Sequence, residues 1–553
     1  MMLRRNFYSF RNLIVLIILT MAVLRLKHEY NMPITNDKIY LPNENKMNGS
    51  QTQFPIMNGG KIASLLKSIS EREYLKKVEK TLRNIPLLFL YDKEKSKIGM
   101  NQVKTKGHKH TNFIHKNKMC GVLPNIYDIH FNNIYWQEHK TRHAIFYLYG
   151  AYLDTRQRNA QGPTIRILSM LDRGLKPKTI MHCLIWFDND EKPVVSKISE
   201  FTYIWYETET FSYNPGIFRP YLLSCKIPKT HSHKIPISIS VVNEPCDIVT
   251  NSLKVIFNKE KGQKNDFAVC VKGLSFPTDD LSSRLVEWIE LLHLLGVDKI
   301  FFYDLGMHPN VQKVMQYYVK KGLVDLTPIS LPGNQPNEQV LQHFHLINKH
   351  LNDQLNEVLP YNDCLYRNMY HYSYIAVLDT DEVIIPRKPP GKTWKDLIKQ
   401  DLSVFGDHVS SYNFRNTYFM EEMLNAHLKS KVPEEITDIP SFMHMLRHVY
   451  RSKTHSPFGK GVKSIHNTGH VKLVLQHYPF ECLDNQCYES IVNVSVQVAH
   501  LHHYRQGCQR FTSEKECNED YKKVVVKDTT LLKFKQQLLD QSIETLSQLG
   551  LIK

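Results

Sequence analysis

Several features are missing from this chain of 553 residues, and each absence narrows what it can be. No apolar run reaches the ~20 residues that cross a ~30 Å bilayer; the early run LIVLIILTMAVL, residues 13 to 24, has twelve. No small-x-small cleavage site follows it, since RLKHEYNMP comes next, so a removed signal peptide is disfavoured. No dense arginine run or nucleic-acid motif accompanies the basic balance of 71 Lys and Arg against 54 Asp and Glu; nucleic acid is therefore not an expected partner. No C-x2-C pair occurs among the ten cysteines, which leaves zinc only a weak claim on the late cluster Cys482, Cys487, Cys508 and Cys517.

What is present points toward a secretory route. Arg4, Arg5 and Arg11 precede the apolar run and Arg25 and Lys27 follow it. Counted from Phe7 with Arg11 snorkelling, the segment is long enough to serve as an uncleaved signal anchor, the positive flank cytoplasmic and the remainder lumenal. The cysteines fit an oxidising compartment, and Cys482 with Cys487 and Cys508 with Cys517 are close enough to close small loops. Asn48-Gly-Ser and Asn493-Val-Ser become glycosylation acceptors there.

The length asks for two to four domains. Residues 1–30 read as cytoplasmic tail and anchor, and 31–115 as a polar, lysine-rich stem. Within the stem, Ile62, Leu65, Leu66, Ile69, Val78, Leu82 and Ile85 fall on one face of an amphipathic helix that self-associates or packs back on the globular part. Residues 116–265 carry strand-length runs such as TIRILSML and TIMHCLIWF between turn residues, predicting a β-rich accessory domain. Residues 266–525 alternate strand and helix: FAVCV, LSSRLVEWIELLHLLG, KIFFYD, NVQKVMQYYVKKG and LVDLTPI. Such βαβ repeats build a parallel sheet with ligands beyond its carboxyl strand ends. Residues 526–553 read as a helical tail.

At one such end stands YIAVLDTDEVIIP, residues 374 to 386. Three acids, Asp379, Asp381 and Glu382, close an apolar strand, and charges in that position need a cation or water. Hard carboxylate oxygens suit Mn²⁺ or Mg²⁺, ions that keep waters and coordinate phosphates, so Asp379 and Asp381 predict an open metal platform for a diphosphate. A dehalogenase-type phosphatase also follows a strand with D-x-D, but near the start of its fold. Here three strands precede it, which favours a nucleotide-sugar transferase.

The ordered motifs LVEWIELLHLLGVDKIFFYD, NDCLYR, YIAVLDTDEVIIPR, KSIHNTGHVKLVLQHYP and VAHLHHYR resemble glycosyltransferase family 92, over about Cys120 to Cys517. The resemblance implies a GT-A type catalytic domain, single-pass type II Golgi topology, Mn²⁺ (or Mg²⁺), and inverting transfer of galactose from UDP-galactose to a glycan or glycoprotein acceptor, with core fucose of N-glycans as one candidate. It makes Asp381 the foremost metal ligand. Asp379 reaches the ribose, the metal or a metal-bound water, and His503 completes the shell. His502, its neighbour, faces the opposite way in an extended segment. Lys463 and Arg505 are expected to neutralise the diphosphate, Lys272 to hold the nucleotide, and Arg367 to buttress the acids. Glu421 and Glu422, after the strand-like SSYNFRNTYF, are the candidates for the base, or simply begin a helix. Glu287 reads as structural. A non-catalytic glycan-binding protein on the same fold is the rival from a different class.

Overall fold

Continuous burial along strands such as Thr164–Leu171 and Arg219–Lys226 shows why residues 131 to 256 form a sheet covered on both faces. The computed structural model describes residues 71–100, 121–172, 180–206, 216–259, 262–388, 393–429, 432–484, 487–508 and 513–552, and these belong to one compact unit. The anchor segment and the Asn48 sequon lie outside them. Among the described residues no helix is long and apolar enough to cross a membrane.

The first nine strands are β1 Phe131–Asn133, β2 Trp136–Lys140, β3 Ile145–Asp154, β4 Thr164–Leu171, β5 His182–Phe187, β6 Val194–Tyr203, β7 Arg219–Lys226, β8 Pro236–Val242 and β9 Leu253–Ile256. Their order is β1-β2-β3-β4-β7-β6-β5-β8-β9, and β9 returns to pair with β3, so the path closes on itself and hides most edges. A disulfide, Cys183–Cys225, joins β5 to β7.

Part of the expected stem is folded. The helices Glu71–Leu82 and Leu87–Met100 precede the sheet, and Phe89 and Leu90 share a cluster with Leu184, Trp186 and Val242. Packing back on the globular part is thus what Phe89 and Leu90 of the second helix do; of the predicted amphipathic helix, Ile62, Leu65, Leu66 and Ile69 fall outside the described residues, and the helix ends at Leu82, before Ile85.

The second half holds β10 Asn265–Phe276, β11 Lys299–Met307, β12 Val324–Pro328, β13 Tyr372–Val377, β14 Glu382–Pro386, β15 Ser411–Met420, β16 Tyr450–Ser452, β17 Val462–Asn467, β18 Val471–Val474, β19 Pro479–Cys482, β20 Ile491–Asn493, β21 Ala499–Arg505 and β22 Val525–Lys527. One sheet runs β12-β11-β10-β13-β17-β15-β21-β14, with β20 beside β15. β10 to β13 are mutually parallel, as the βαβ pattern required, whereas β17 joins antiparallel. The helix Ser282–Leu294 buries Leu285, Trp288, Ile289 and Leu292 in the main core. The C-terminal helix Lys535–Gln548 adds Leu538 and Leu546 to that same core, so it packs with the second half. The long helix His350–Asn368 sits between the halves, sharing a cluster with Tyr152 and Leu168 of the first sheet. Cys270–Cys364 ties it to β10. The two short loops close as expected, Cys482–Cys487 and Cys508–Cys517; disulfide bonding takes these four sulfurs out of any zinc reading.

Candidate active site

β10 and β13 are parallel neighbours, so their carboxyl ends open on one side. After β13 the chain turns sharply: Glu382 N donates to Asp379 O at 3.1 Å, and Asp379 N donates to Glu382 Oε2 at 3.2 Å. Two neighbours fix that turn. Trp288 Nε1 donates to Glu382 O at 2.8 Å, and Tyr504 N donates to Asp381 O at 2.9 Å. The turn borders a cleft of about 430 Å³ whose lining includes Lys272, Glu357, Asp379, Asp381, His503 and Arg505.

The three acids have different fates. Asp379 Oδ2 accepts from Lys463 Nζ at 2.8 Å and from Gln476 Nε2 at 3.1 Å. Its Oδ1 is buried and accepts no hydrogen bond; Lys272 Nζ lies 3.6 Å away. Burial pushes its pKa up, but Lys463 and Lys272 outweigh that and hold it well below the usual carboxylate range. Glu382 is buried, its Oε2 3.0 Å from Lys463 Nζ, and burial raises its pKa. Asp381 is half exposed at the cleft, its Oδ2 3.4 Å from His503 Nε2. Burial raises the Asp381 pKa, yet His503 brings it below the ordinary value. His503 Nδ1 lies 3.2 Å from Glu382 Oε1 and makes no hydrogen bond there.

Asp381 and His503, 3.4 Å apart, are therefore the acid–imidazole pair that opens on the cleft; no trio at this cleft has ligand atoms all within 4.8 Å of one another among the described residues. One carboxylate, one imidazole and the orphaned Asp379 Oδ1 nearby fit an ion such as Mn²⁺ or Mg²⁺ that takes its remaining ligands from phosphate and water. Asp379 Oδ2 is engaged by Lys463 and Gln476, so Oδ1 alone is left for the ion, a metal-bound water or the ribose.

Two of the expected site cations have other roles. Lys463 is wholly buried, bridging Asp379 and Glu382 from behind, so it holds the acids in place and does not face a diphosphate. Arg367 Nε binds Asp363 at 2.8 Å and its Nη2 reaches Asn84 at 3.2 Å, on the side facing the first sheet; its position on the helix turns it from the acids. Lys272 does reach the cleft, held 2.5 Å from Glu357. Burial lowers its pKa, but Glu357 and Asp379 raise it well above normal, so it is cationic.

Of the two candidate bases, Glu421 pairs with Arg284 at 2.9 Å and lies 4.0 Å from His444 Nδ1; both partners line the cleft. Glu422 is half exposed and bound to Lys522, its carboxylate against Gly507 of the cleft lining. They begin the helix Glu421–Leu428, as the second reading of the pair expects. Glu287 is structural as expected: its carboxylate accepts from the backbone N–H of His444, Met445 and Leu446 at 2.6, 2.9 and 2.9 Å, fixing one wall of the cleft.

Sequence reasoning missed Glu357, Asp353 and Gln476, all cleft-lining. Asp353 and Glu357 stand four apart on one helix, which places them on one face and was a usable signal. Gln476 sits inside KLVLQHYP but has no spacing that marks it.

The sequence profile of glycosyltransferase family 92 matches residues 265–543, the half that carries this cleft. The chain belongs to glycosyltransferase family 92, and its α/β half is a glycosyltransferase fold. A β-1,4-galactosyltransferase of Caenorhabditis elegans, galt-1, is 25% identical over 176 residues, covering 30% of this chain and 37% of that protein. The match thus spans little more than a third of the length of that curated relative. Among solved structures, Staphylococcus aureus TarS shares 12% identity with a TM-score of 0.22, covering 51% of this chain and 72% of that one. Glucosyl-3-phosphoglycerate synthase from Mycobacterium tuberculosis, solved with Mn²⁺, UDP and glucosyl-3-phosphoglycerate, shares 10% with a TM-score of 0.18, covering 52% and 81%. Family membership displaces the phosphatase alternative.

Proposed function

We propose that the protein is a metal-dependent, inverting hexosyltransferase that moves galactose from UDP-galactose to a hydroxyl of a glycan, working in the Golgi lumen behind an N-terminal anchor. The observation that carries this is the pair Asp381 and His503 at 3.4 Å, beside a buried Asp379 oxygen without a hydrogen bond. Asp381 and His503 would hold Mn²⁺ or Mg²⁺, with Asp379 alongside. The ion, when bound, supplies positive charge that stabilises the departing diphosphate by several kcal/mol.

The chain's own residues do the rest. Lys272 and Arg505 line the same cleft and present fixed cations to a leaving group that gains charge. Lys463 keeps Asp379 ionised. Glu421 is the base that takes the acceptor hydroxyl's proton, a contribution of roughly 10² to 10⁴-fold; Arg284 and His444 orient it. Burial holds His444 at about 2, so it is neutral and leaves the proton to the carboxylate.

The test is UDP release by purified full-length protein with a panel of UDP-sugars and fucosylated N-glycan acceptors, with and without Mn²⁺, alongside Asp381→Asn. Metal-dependent turnover of UDP-galactose that disappears in the variant is expected. Binding of UDP-sugar without turnover would turn the assignment to a glycan-binding protein.

A further inference from the structure

A second cluster lies on the other face of the strand that carries His503. His500 and His502, two apart on β21, project to the same side, and His503 projects to the cleft. Asp528 joins them from just after β22. The described residues hold this one group of three acids, histidines or cysteines whose ligand atoms lie within 4.8 Å of one another. All three are buried, His500 and His502 at 0% and 1% exposure.

The arrangement is that of ligands already aimed. His500 Nε2 and His502 Nε2 face each other at 2.8 Å. Their other nitrogens are each engaged: His500 Nδ1 meets His455 Nε2 at 3.2 Å, and His502 Nδ1 meets Tyr504 Oη at 3.1 Å. Partners of this kind on the far nitrogen fix ring orientation and tautomer in metal-ligating histidines. Asp528 is fixed too, by Thr530 N at 3.0 Å on Oδ1 and Arg451 Nε at 2.6 Å on Oδ2.

We propose that His500, His502 and Asp528 form a buried zinc site that fastens the C-terminal segment to β21, separate from the catalytic cleft. Two imidazoles and a carboxylate leave one of zinc's four positions for water. The charge balance selects the metal. Arg451 already offsets the Asp528 carboxylate, so an incoming dication needs strong nitrogen donors, which suits zinc and disfavours Mn²⁺ or Mg²⁺. Without metal, the same two rings must share one proton as an imidazole–imidazole hydrogen bond, and that alternative makes opposite predictions.

Zinc is measured by elemental analysis of full-length protein equilibrated with zinc and desalted, for wild type, Asp381→Asn, His500→Gln and Asp528→Asn. Asp381→Asn empties the cleft ligand pair, so about one zinc per chain retained in that variant is the expected result, with a rise in melting temperature on zinc addition. Loss to below about a tenth of an equivalent is expected in whichever of His500→Gln and Asp528→Asn folds. Zinc absent from Asp381→Asn overturns the site, whether or not the other variants fold. So does zinc at wild-type level in folded His500→Gln. Neither result bears on the transferase assignment, which is decided by UDP release.

Discussion

Replacing Lys463 by Met removes one charge from a wholly buried position while keeping the length of the side chain. Lys463 Nζ is 2.8 Å from Asp379 and 3.0 Å from Glu382, so the substitution takes from two buried carboxylates the ammonium they share. Breaking a buried pair in this way costs ~3–5 kcal/mol. The protein can avoid the full cost by protonating one acid. Protonating a carboxyl of ordinary pKa ~4.3 costs about 1.4 kcal/mol for each pH unit above that value, thus about 1.6 kcal/mol at pH 5.5 and about 4.4 at pH 7.5. In wild type, Asp379 is depressed, and its contribution is fully present above the ordinary carboxylate pKa, so it does not vary between those pH values. In Lys463→Met the folded protein binds a proton that the unfolded chain lacks, and stability falls as pH rises. Urea unfolding of both proteins at pH 5.5, 6.5 and 7.5 should therefore show a difference that widens by roughly 3 kcal/mol across the range. A difference below about 1 kcal/mol at pH 7.5, or one that does not change with pH, would refute the assignment of Lys463 as the counter-ion of the acids.

Three further outcomes follow from the geometry. Glu421→Gln should lower kcat by roughly 10² to 10⁴-fold, while Glu422→Gln, whose carboxylate is already paired with Lys522, should stay near wild type; initial rates of UDP release distinguish them, and equal losses would assign the base elsewhere. Burial raises Glu287 to about 7, above its unfolded value, so the folded state holds an extra proton between about 4.5 and 7 and this part of stability declines as pH climbs through that window. Glu287→Gln should remove that slope, of at most about 1.4 kcal/mol per pH unit, in denaturation curves taken at several pH values; an unchanged slope would show that Glu287 stays ionised. Arg284→Ala breaks a partly exposed pair, so it should cost under about 1 kcal/mol of stability but reduce kcat through misplacement of Glu421; a loss of stability without loss of turnover would make the pair merely structural.

The parallel strands and the acids at their ends were legible because both signals are local: apolar runs of strand length, helices with 3.6-residue spacing between them, and a charge cluster where a core strand stops. The opposite facing of His502 and His503 followed from strand alternation alone. What escaped was set by contacts across long stretches of chain. Lys463 meets Asp379 from 84 positions away, and nothing in KSI says whether its ammonium enters solvent or lies beneath a turn. Arg367 fell on the wrong side because proximity in sequence to β13 says little about direction once a helix intervenes; its angular position gave it to Asp363. The closure of β3 on β9 and the Cys183–Cys225 and Cys270–Cys364 bridges are likewise pairings of distant segments, and a lysine-rich stretch at 71–100 reads as stem until Phe89 and Leu90 find a surface to cover.

The acids at the end of β13 show how one sequence signal divides into separate physical roles. A run of carboxylates beyond a buried strand must be neutralised or wetted, and this protein does both within four residues. Asp379 and Glu382 flank one buried ammonium, which keeps a strained concentration of charge in place at the foot of the cleft. Asp381, between them in sequence, is left half exposed against a single imidazole. The turn thus spends its buried partner on the outer acids and leaves the middle one with capacity for a ligand. Had Lys463 reached all three, no carboxylate would be available to a cation; had it been absent, Asp379 and Glu382 would share a proton at the foot of the cleft. A buried lysine on β17 is therefore a condition for the open metal platform that the strand-end acids suggest.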